Sequence, residues 1–201
     1  MSQAEQKCVI VGAGHAAAQL CVSLRQAQWP GRITLVGDEP SAPYHRPPLS
    51  KSQLDPAAEA PLQMIRPVDF YARQQVELKL GQMVRSIDRE TRTLDIGHTK
   101  LSYDTLVLAT GSINRRPPII GIEHPRVFSL RTADDAKALR AQVRDTQRVA
   151  IIGAGFIGLE IASSLRKIGR VMGLRWDRVR GLLRSSRRRF ERAGFGLEGR
   201  V

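Results

Sequence analysis

Cysteine is nearly absent from this chain, with two residues in 201. Cys8 opens an apolar run and Cys21 lies on one face of a predicted helix, so we expect buried, reduced thiols and no disulfide or metal site. No apolar run approaches the roughly 18 residues that a membrane span requires. Met1 to Lys7 is polar and has no apolar signal-peptide core. These absences predict a cytoplasmic protein with no membrane partner.

Acidic residues are too few to balance the basic ones, and the imbalance is strongest at the end of the chain, where arginine is abundant. The formal net charge is +13. Residues 170–201 hold ten arginines, no lysine and three acidic residues, a net of +7, which leaves +6 for the first 169 residues. Arginine clusters such as Arg187, Arg188 and Arg189 contact phosphates in other proteins, but few aromatic side chains accompany these to stack on bases. We therefore expect a solvated tail, and nucleic-acid binding stays an alternative.

Two segments 141 residues apart repeat the order of strand, glycine turn and helix. Continuous apolar runs, typical of strands buried on both faces of a parallel sheet, end at Gly12 and Gly153. Helical spacing follows over residues 15–28 and from Phe156 to about Gly169. Further strands are predicted at 33–36 and 106–109, a helix at 132–144, and small strands between 76 and 94. The pattern predicts an α/β fold: a Rossmann-like domain with a parallel sheet and a small β-meander, then the start of a second Rossmann unit.

Both turns carry small residues where a dinucleotide-binding unit needs them. The first glycine permits a tight turn, the second lets the backbone approach a pyrophosphate, and the third small residue packs the helix on the strand. The helix N-terminus then offers amides and a favourable dipole to the phosphates. These positions hold Gly12, Gly14 and Ala17 in the first copy, and Gly153, Gly155 and Gly158 in the second.

An acidic pair follows the second predicted strand. Asp38 lies 26 residues after Gly12 and precedes Glu39. An acid in this place accepts hydrogen bonds from ribose hydroxyls and repels a 2'-phosphate. A solvated turn residue stays the alternative for Asp38.

Three further stretches are more specific than a generic fold: VGDEP at 36–40, YHRPPLSK at 44–51 and YDTLVLATG at 103–111. Together with both turns they resemble the FAD-dependent ferredoxin reductases that serve oxygenases, over Lys7 to about Gly169. The resemblance implies an enzyme that passes electrons from NADH or NADPH through FAD to a small iron–sulfur ferredoxin. A remnant that binds FAD without catalysis stays the alternative.

The resemblance also implies site residues. Lys51 and Glu160 would lie near the flavin and nicotinamide, with Lys51 stabilising negative charge on the reduced ring and Glu160 paired with it. Arg46, held extended by the prolines after it, would grip a fixed anion. Solvated loop residues, and for Glu160 a first-turn acid favoured by the helix dipole, are the alternatives. The full set implied for cofactor binding is Gly12, Gly14, Ala16, Ala17, Asp38, Glu39, Arg46, Lys51, Val84, Thr110, Gly111, Arg131, Gly153, Gly155, Gly158 and Glu160.

No Cys-x4-Cys pair follows the first unit, where related flavin disulfide reductases keep their redox dithiol. The RPPLSK block occupies that region. We therefore do not expect disulfide reduction, since neither Cys8 nor Cys21 would relay electrons from that side of a flavin.

The resemblance divides the chain into an FAD-binding domain at 1–115, a connecting segment at 116–147 and the first strand, turn and helix of an NAD-binding domain at 148–169. From Arg170 the composition is wrong for a following strand. We therefore expect residues 170–201 to be an aberrant, disordered tail, the sheet edge at 149–152 to be unpaired, and Asp177 not to serve as a ribose-binding acid. We interpret the change as a frame shift or a truncated gene, which a genomic sequence continuing in register would refute.

Overall fold

The computed structural model describes residues 6–58, 60–97, 99–153 and 155–175. They fall into two units by their contacts. The first unit contains the residues up to His45 together with Leu62–Ile113, and the second contains Arg46–Pro61 together with the residues from Asn114 onward. The segment Arg46–Pro61, which contains the whole RPPLSK block, therefore groups with the C-terminal residues.

The first unit is built around a parallel sheet, and this α/β class was predicted. In chain order it consists of β1 (Lys7–Val11), α1 (His15–Gln26), β2 (Arg32–Val36), α2 (Val68–Arg73), β3 (Val76–Lys79), β4 (Ser86–Asp88), β5 (Thr93–Asp95), β6 (Lys100–Ser102) and β7 (Thr105–Leu108). The sheet has the order β3-β2-β1-β7, with all pairs parallel. Strands β4, β5 and β6 form a separate antiparallel meander. Strand β3, expected only as a small strand, joins the main sheet beside β2.

Alternation along β1 explains its unbroken apolar run. Cys8 and Ile10 lie in a cluster with residues of both α1 and α2, while Val9 and Val11 lie in a cluster with residues of the meander. Since successive side chains of a strand point to opposite faces, a sheet covered on both faces needs apolar residues at every position. The strand thereby fixes Gly12, at its end, between two packed layers.

The second unit repeats the strand, turn and helix. In chain order it consists of two short 3-10 helices (Pro47–Ser50 and Ser52–Leu54), α3 (Ala133–Asp145), β8 (Arg148–Ile152), α4 (Phe156–Lys167) and β9 (Val171–Arg175). Strands β8 and β9 pair in parallel, from Arg148 opposite Val171 to Ile152 opposite Arg175. No helix in the described part of the chain has the length and apolar character to cross a membrane.

Strand β9 overturns two expectations. The predictions that no strand follows α4 and that the edge of β8 is unpaired were wrong. Gly169, at a φ of +77°, follows the helix and redirects the chain. The backbone edge of β8 then pairs with residues 171–175, although their composition does not favour a strand. The hydrogen bonds between strands come from the main chain, and tertiary context outweighs strand propensity. Asp177 and the rest of the predicted tail beyond residue 175 lie outside the described residues.

Candidate functional site

Gly12 is required by the fold. It leaves β1 with a φ of +111°, a conformation that residues with a side chain rarely adopt. A Cβ at this position would lie 2.2 Å from the carbonyl oxygen of Ala109, and the Gly12 amide donates to the Val36 carbonyl at 2.7 Å. The turn is thus packed tightly against the ends of its neighbouring strands.

Gly14, unlike Gly12, has open space beside it. It is the N-cap of α1, and apart from its chain neighbours and the backbone of α1, no atom of the described residues lies within 4 Å of the place where its Cβ would stand. The helix has no side-chain cap and no acidic residue in its first turn. Ala17, on the same turn, is fully buried and packs the helix on the sheet. The amide end of α1 is therefore open in the place where a phosphate group would approach.

The second turn has the same arrangement. Gly153 has a φ of +107°, and a Cβ on Gly158 would lie 2.1 Å from the Gly153 carbonyl oxygen. Gly155 is the N-cap of α4, with open space beside it and no side-chain cap. The first turn of α4 has no acidic residue, so the alternative interpretation of Glu160 as a first-turn acid was wrong.

Helix α3 shows how the same chain caps a helix with its own side chains. The Thr132 side chain accepts from the Asp135 amide, the Asp135 side chain accepts from the Thr132 amide, and Asp134 adds a second acid to the first turn. This capping box satisfies amides at the start of α3. The corresponding amides of α1 and α4 have no side-chain cap. The two glycine turns, which Cβ atoms at Gly14 and Gly155 would partly fill, therefore fit dinucleotide phosphates.

Lys51 and Glu160 form the charged centre of the second unit. The Lys51 Nζ lies 3.1 Å from the Glu160 Oε2, so the predicted pairing is present as an ion pair. The Ser50 hydroxyl donates to the same oxygen at 2.6 Å. Hydrogen bonds from Ser50 and then from Lys51 hold the pKa of Glu160 below its ordinary value, against a smaller opposing effect of burial. Glu160 is thus favoured in its ionised form.

Arg46 makes a contact that the sequence did not indicate. Its Nη1 donates to the carbonyl oxygen of Arg131 at 2.6 Å, and the Arg131 amide donates to Asp135 at 2.7 Å. The guanidinium therefore joins the RPPLSK segment to the residue before the α3 capping box. The expectation that Arg46 is extended was wrong: its φ of −79° and ψ of −28° are helical, and it forms the N-cap of the 3-10 helix Pro47–Ser50. Anion binding by Arg46 and cofactor contact by Arg131 stay predictions.

The other residues implied by resemblance lie in the first unit. Asp38 is exposed after β2, and Glu39 accepts a hydrogen bond from the Tyr44 hydroxyl. Val84 packs against the meander-side apolar cluster, so its side chain serves the core. Ala16 is exposed in the first turn of α1, and Thr110 and Gly111 are exposed just beyond β7. Their roles in cofactor binding stay predictions.

The sequence analysis did not identify contacts made by two serines and by a pair of histidines. Ser50 Oγ binds Glu160, and Ser164 Oγ donates to the backbone oxygen of Ser50 at 2.8 Å. His15 and His45 lie with ring nitrogens 3.1 Å apart. Ser164 follows Glu160 by four residues, which places both on one face of α4, but this spacing gives no sign of a contact with Ser50.

Both cysteines are free and buried, as expected. Burial raises the pKa of Cys21 to about 11 and also raises the pKa of Cys8. Because the thiolate is the reactive form, both are poor redox nucleophiles at neutral pH.

The family model of the pyridine nucleotide-disulphide oxidoreductases matches residues 6–190. Rhodocoxin reductase of Rhodococcus erythropolis is 43% identical over 162 residues, which are 80% of this chain and 38% of that protein. Putidaredoxin reductase of Pseudomonas putida is 39% identical over 168 residues, 82% of this chain and 40% of that protein.

A solved structure agrees. The ferredoxin reductase of the CYP199A2 system from Rhodopseudomonas palustris superposes with a TM-score of 0.85 at 40% identity, over 96% of this chain and 50% of that one. The chain therefore spans about half, or less, of the length of these relatives. With a family model matching most of its length and both glycine turns in place, the chain belongs to the pyridine nucleotide-disulphide oxidoreductase family.

Proposed function

We propose that this chain binds FAD through the turn Gly12–Ala17 and belongs to an enzyme that passes electrons from NADH or NADPH to a small iron–sulfur ferredoxin. The observation that carries the proposal is the open amide end of α1, with no side-chain cap, no acid in its first turn and free space beside Gly14. A doubly charged diphosphate suits that place.

The first unit would hold FAD and the second the nicotinamide cofactor. Asp38 would accept hydrogen bonds from the ribose of the adenosine half of FAD, beyond the end of β2. Gly153, Gly155 and Gly158 would receive the diphosphate of NADH or NADPH. Bound FAD would supply the conversion of a two-electron donor into single-electron steps.

The Lys51–Glu160 pair would supply a positive charge to the reaction. An ammonium held by an ionised carboxylate has a more definite position than a mobile lysine, so its charge is already oriented, although the carboxylate offsets part of it. Glu160 in turn stays ionised because two donors bind its Oε2. The residues thereby supply a positioned positive charge.

The ferredoxin partner is supported by the relatives. A covalent complex of putidaredoxin reductase with putidaredoxin has a TM-score of 0.75 to this chain at 37% identity, over 84% of this chain and 42% of that one. A dioxygenase ferredoxin–NAD(+) reductase component of Photorhabdus laumondii is 42% identical over 166 residues. Disulfide reduction is disfavoured despite the family name, since both cysteines are buried with raised pKa.

Reconstitution of the purified full chain with FAD tests the proposal. We expect the visible flavin absorption to bleach on anaerobic addition of NADH or NADPH, and added ferredoxin to restore it. Lys51→Met should slow the bleaching, while the exposed meander variant Arg89→Met should not change it. Flavin that binds without bleaching would leave a flavin-binding domain without this activity, and failure to bind flavin would refute the proposal.

We also propose a cytoplasmic location, supported by the two free thiols, which a reducing compartment preserves. Fractionation of the native host with immunodetection tests it. Recovery in a membrane or secreted fraction would contradict it.

A further inference from the structure

Two neighbouring residues of the RPPLSK segment bind one carboxylate oxygen. Ser50 Oγ lies 2.6 Å and Lys51 Nζ 3.1 Å from the Oε2 of Glu160. Consecutive residues of a continuous helix project about 100° apart and do not converge in this way. Here the two short 3-10 helices meet at Lys51, whose φ of −124° and ψ of −108° lie outside the helical region. The break in the backbone brings the hydroxyl and the ammonium to the same atom.

The two donors differ in how firmly they are held. Ser50 is 4% exposed, whereas the Lys51 and Glu160 side chains are 51% and 39% exposed. The backbone oxygen of Ser50 also accepts from Ser164, one turn after Glu160 on α4. A long exposed lysine loses much rotamer entropy when it is fixed, and a buried serine loses little. Ser50 is therefore the better positioned donor.

The Ser50 hydroxyl has one competing acceptor. The Pro47 carbonyl lies 3.3 Å from its Oγ, but a single hydroxyl proton serves the closer and charged acceptor, which is Glu160. Glu160 Oε1 has no hydrogen-bond partner among the described residues. The donors among the described residues therefore act on a single oxygen of the carboxylate.

We propose that Ser50 is the positioning residue of the Lys51–Glu160 pair: its hydroxyl holds one oxygen of Glu160, and through that carboxylate it sets the position of the Lys51 ammonium. The importance of this for electron transfer rests on the proposed function. The contacts themselves do not depend on the proposed function, since all of them are made between residues of this chain.

The electrostatics agree with the geometry. The hydrogen bond from Ser50 is the largest cause of the lowered pKa of Glu160, ahead of Lys51. Asp55 and Lys167 are the other charged residues that line the cavity of about 310 Å³ beside the pair. One carries a negative and one a positive charge, so their effects on Glu160 oppose each other.

A carboxyl titration of the full chain tests the role of Ser50. Carbon-13 labelling of glutamate side chains reports each carboxyl by NMR, and Glu160→Gln assigns the signal of Glu160. We expect Ser50→Ala to raise the pKa of Glu160 by roughly half a unit to one unit and Ser50→Thr to restore it. The rise should persist at about 1 M salt, which screens the contribution of Lys51 far more than a hydrogen bond.

Ser164→Ala is the matched control, because it removes a hydroxyl bound to the same segment without touching Glu160. It should leave the pKa of Glu160 near the wild-type value. An unchanged pKa in Ser50→Ala would overturn the proposal. An equal rise in Ser164→Ala would also overturn it, since general loosening of the segment would then explain both.

The titration needs no flavin, so its outcome is separate from that of the proposed function. In FAD-reconstituted protein, Ser50→Ala should lower kcat several-fold with little change in KM for NADH, as expected for a misplaced charge. A chain that fails to bind FAD would refute the proposed function and leave the titration result standing.

Discussion

Gly12 and Gly14 occupy one turn but face different constraints. A Cβ at Gly12 would meet the Ala109 carbonyl at 2.2 Å with φ at +111°, while the space beside Gly14 is open. We expect Gly12→Ala to lower the free energy of unfolding by about 3 kcal/mol, from strain and overpacking together. Gly14→Ala should change it by less than about 0.5 kcal/mol. Urea unfolding of the flavin-free protein compares the two, and equal losses would contradict this account of the turn.

Tyr71 carries a polar group that the fold leaves unsatisfied. Its side chain is 1% exposed, and its hydroxyl has no hydrogen-bond partner among the described residues. Removing such a group releases a desolvation cost without losing a bond. We expect Tyr71→Phe to raise the free energy of unfolding by about 1 kcal/mol. A loss of stability would show that the hydroxyl has a partner.

The same hydroxyl gives a pH dependence of known sign. Burial raises the pKa of Tyr71 from 10.0 to about 12. Above pH 10 the unfolded chain loses this proton first, so its ionisation favours unfolding until the folded pKa is reached. The stability advantage of Tyr71→Phe should therefore be constant up to about pH 9 and grow from about pH 10 toward pH 12. An advantage independent of pH would refute the assignment.

At the scale of elements, Arg25 joins α1 to the end of α2. From the last turn of α1, its guanidinium donates to the carbonyls of Gln74 and Gln75 at 2.7 and 3.0 Å, and to those of Trp29 and Gly31 at 2.7 and 3.0 Å. The four acceptors lie in two segments, one just after α1 and one just after α2, and this arrangement suits the planar fork of arginine and not an ammonium.

We expect Arg25→Met to cost about 3 kcal/mol of unfolding free energy and Arg25→Lys about half of that. Exposed Arg89, in the meander, is the control, and Arg89→Met should cost less than about 0.5 kcal/mol. Denaturant melts of the three variants measure this. If Arg25→Lys matched the wild type, the fork geometry would be irrelevant.

Elements whose signal is local were predictable. An apolar run stopped by Gly12 or Gly153 marks β1 and β8, and the small residues that follow mark α1 and α4. Pairing was not predictable in the same way. Strand β3 lies about 40 residues from its partner β2, and β9 contains Gly173, which weakens any strand signal. Both strands exist because a neighbouring backbone edge is available to them.

The candidate site shows the same difference between features with a local sequence signal and features without one. The glycine positions follow from spacing within a few residues, so their identity was readable in the sequence. The Ser50 contacts join residues 110 and 114 positions apart, and no local pattern reports them. The Lys51–Glu160 pair was expected only through resemblance to the ferredoxin reductases.

At the scale of the whole molecule, family membership and the two uncapped helix ends support one account. The chain covers 38–42% of three ferredoxin reductases that it resembles, so electron transfer to ferredoxin stays a proposal. FAD binding by the first unit depends on β1, the turn at Gly12–Ala17 and α1. It is therefore the claim on which the rest of the account depends.

Titration of the full chain with FAD, wild type against Gly14→Asp, tests that claim most directly. Aspartate is a favourable N-cap residue and has room beside Gly14, so the variant should be at least as stable as the wild type. Its carboxylate would occupy the place of the diphosphate and repel it. We predict saturable quenching of flavin fluorescence by the wild type and an affinity about a hundredfold weaker in Gly14→Asp. Equal affinities, or no saturable binding by the wild type, would contradict the account.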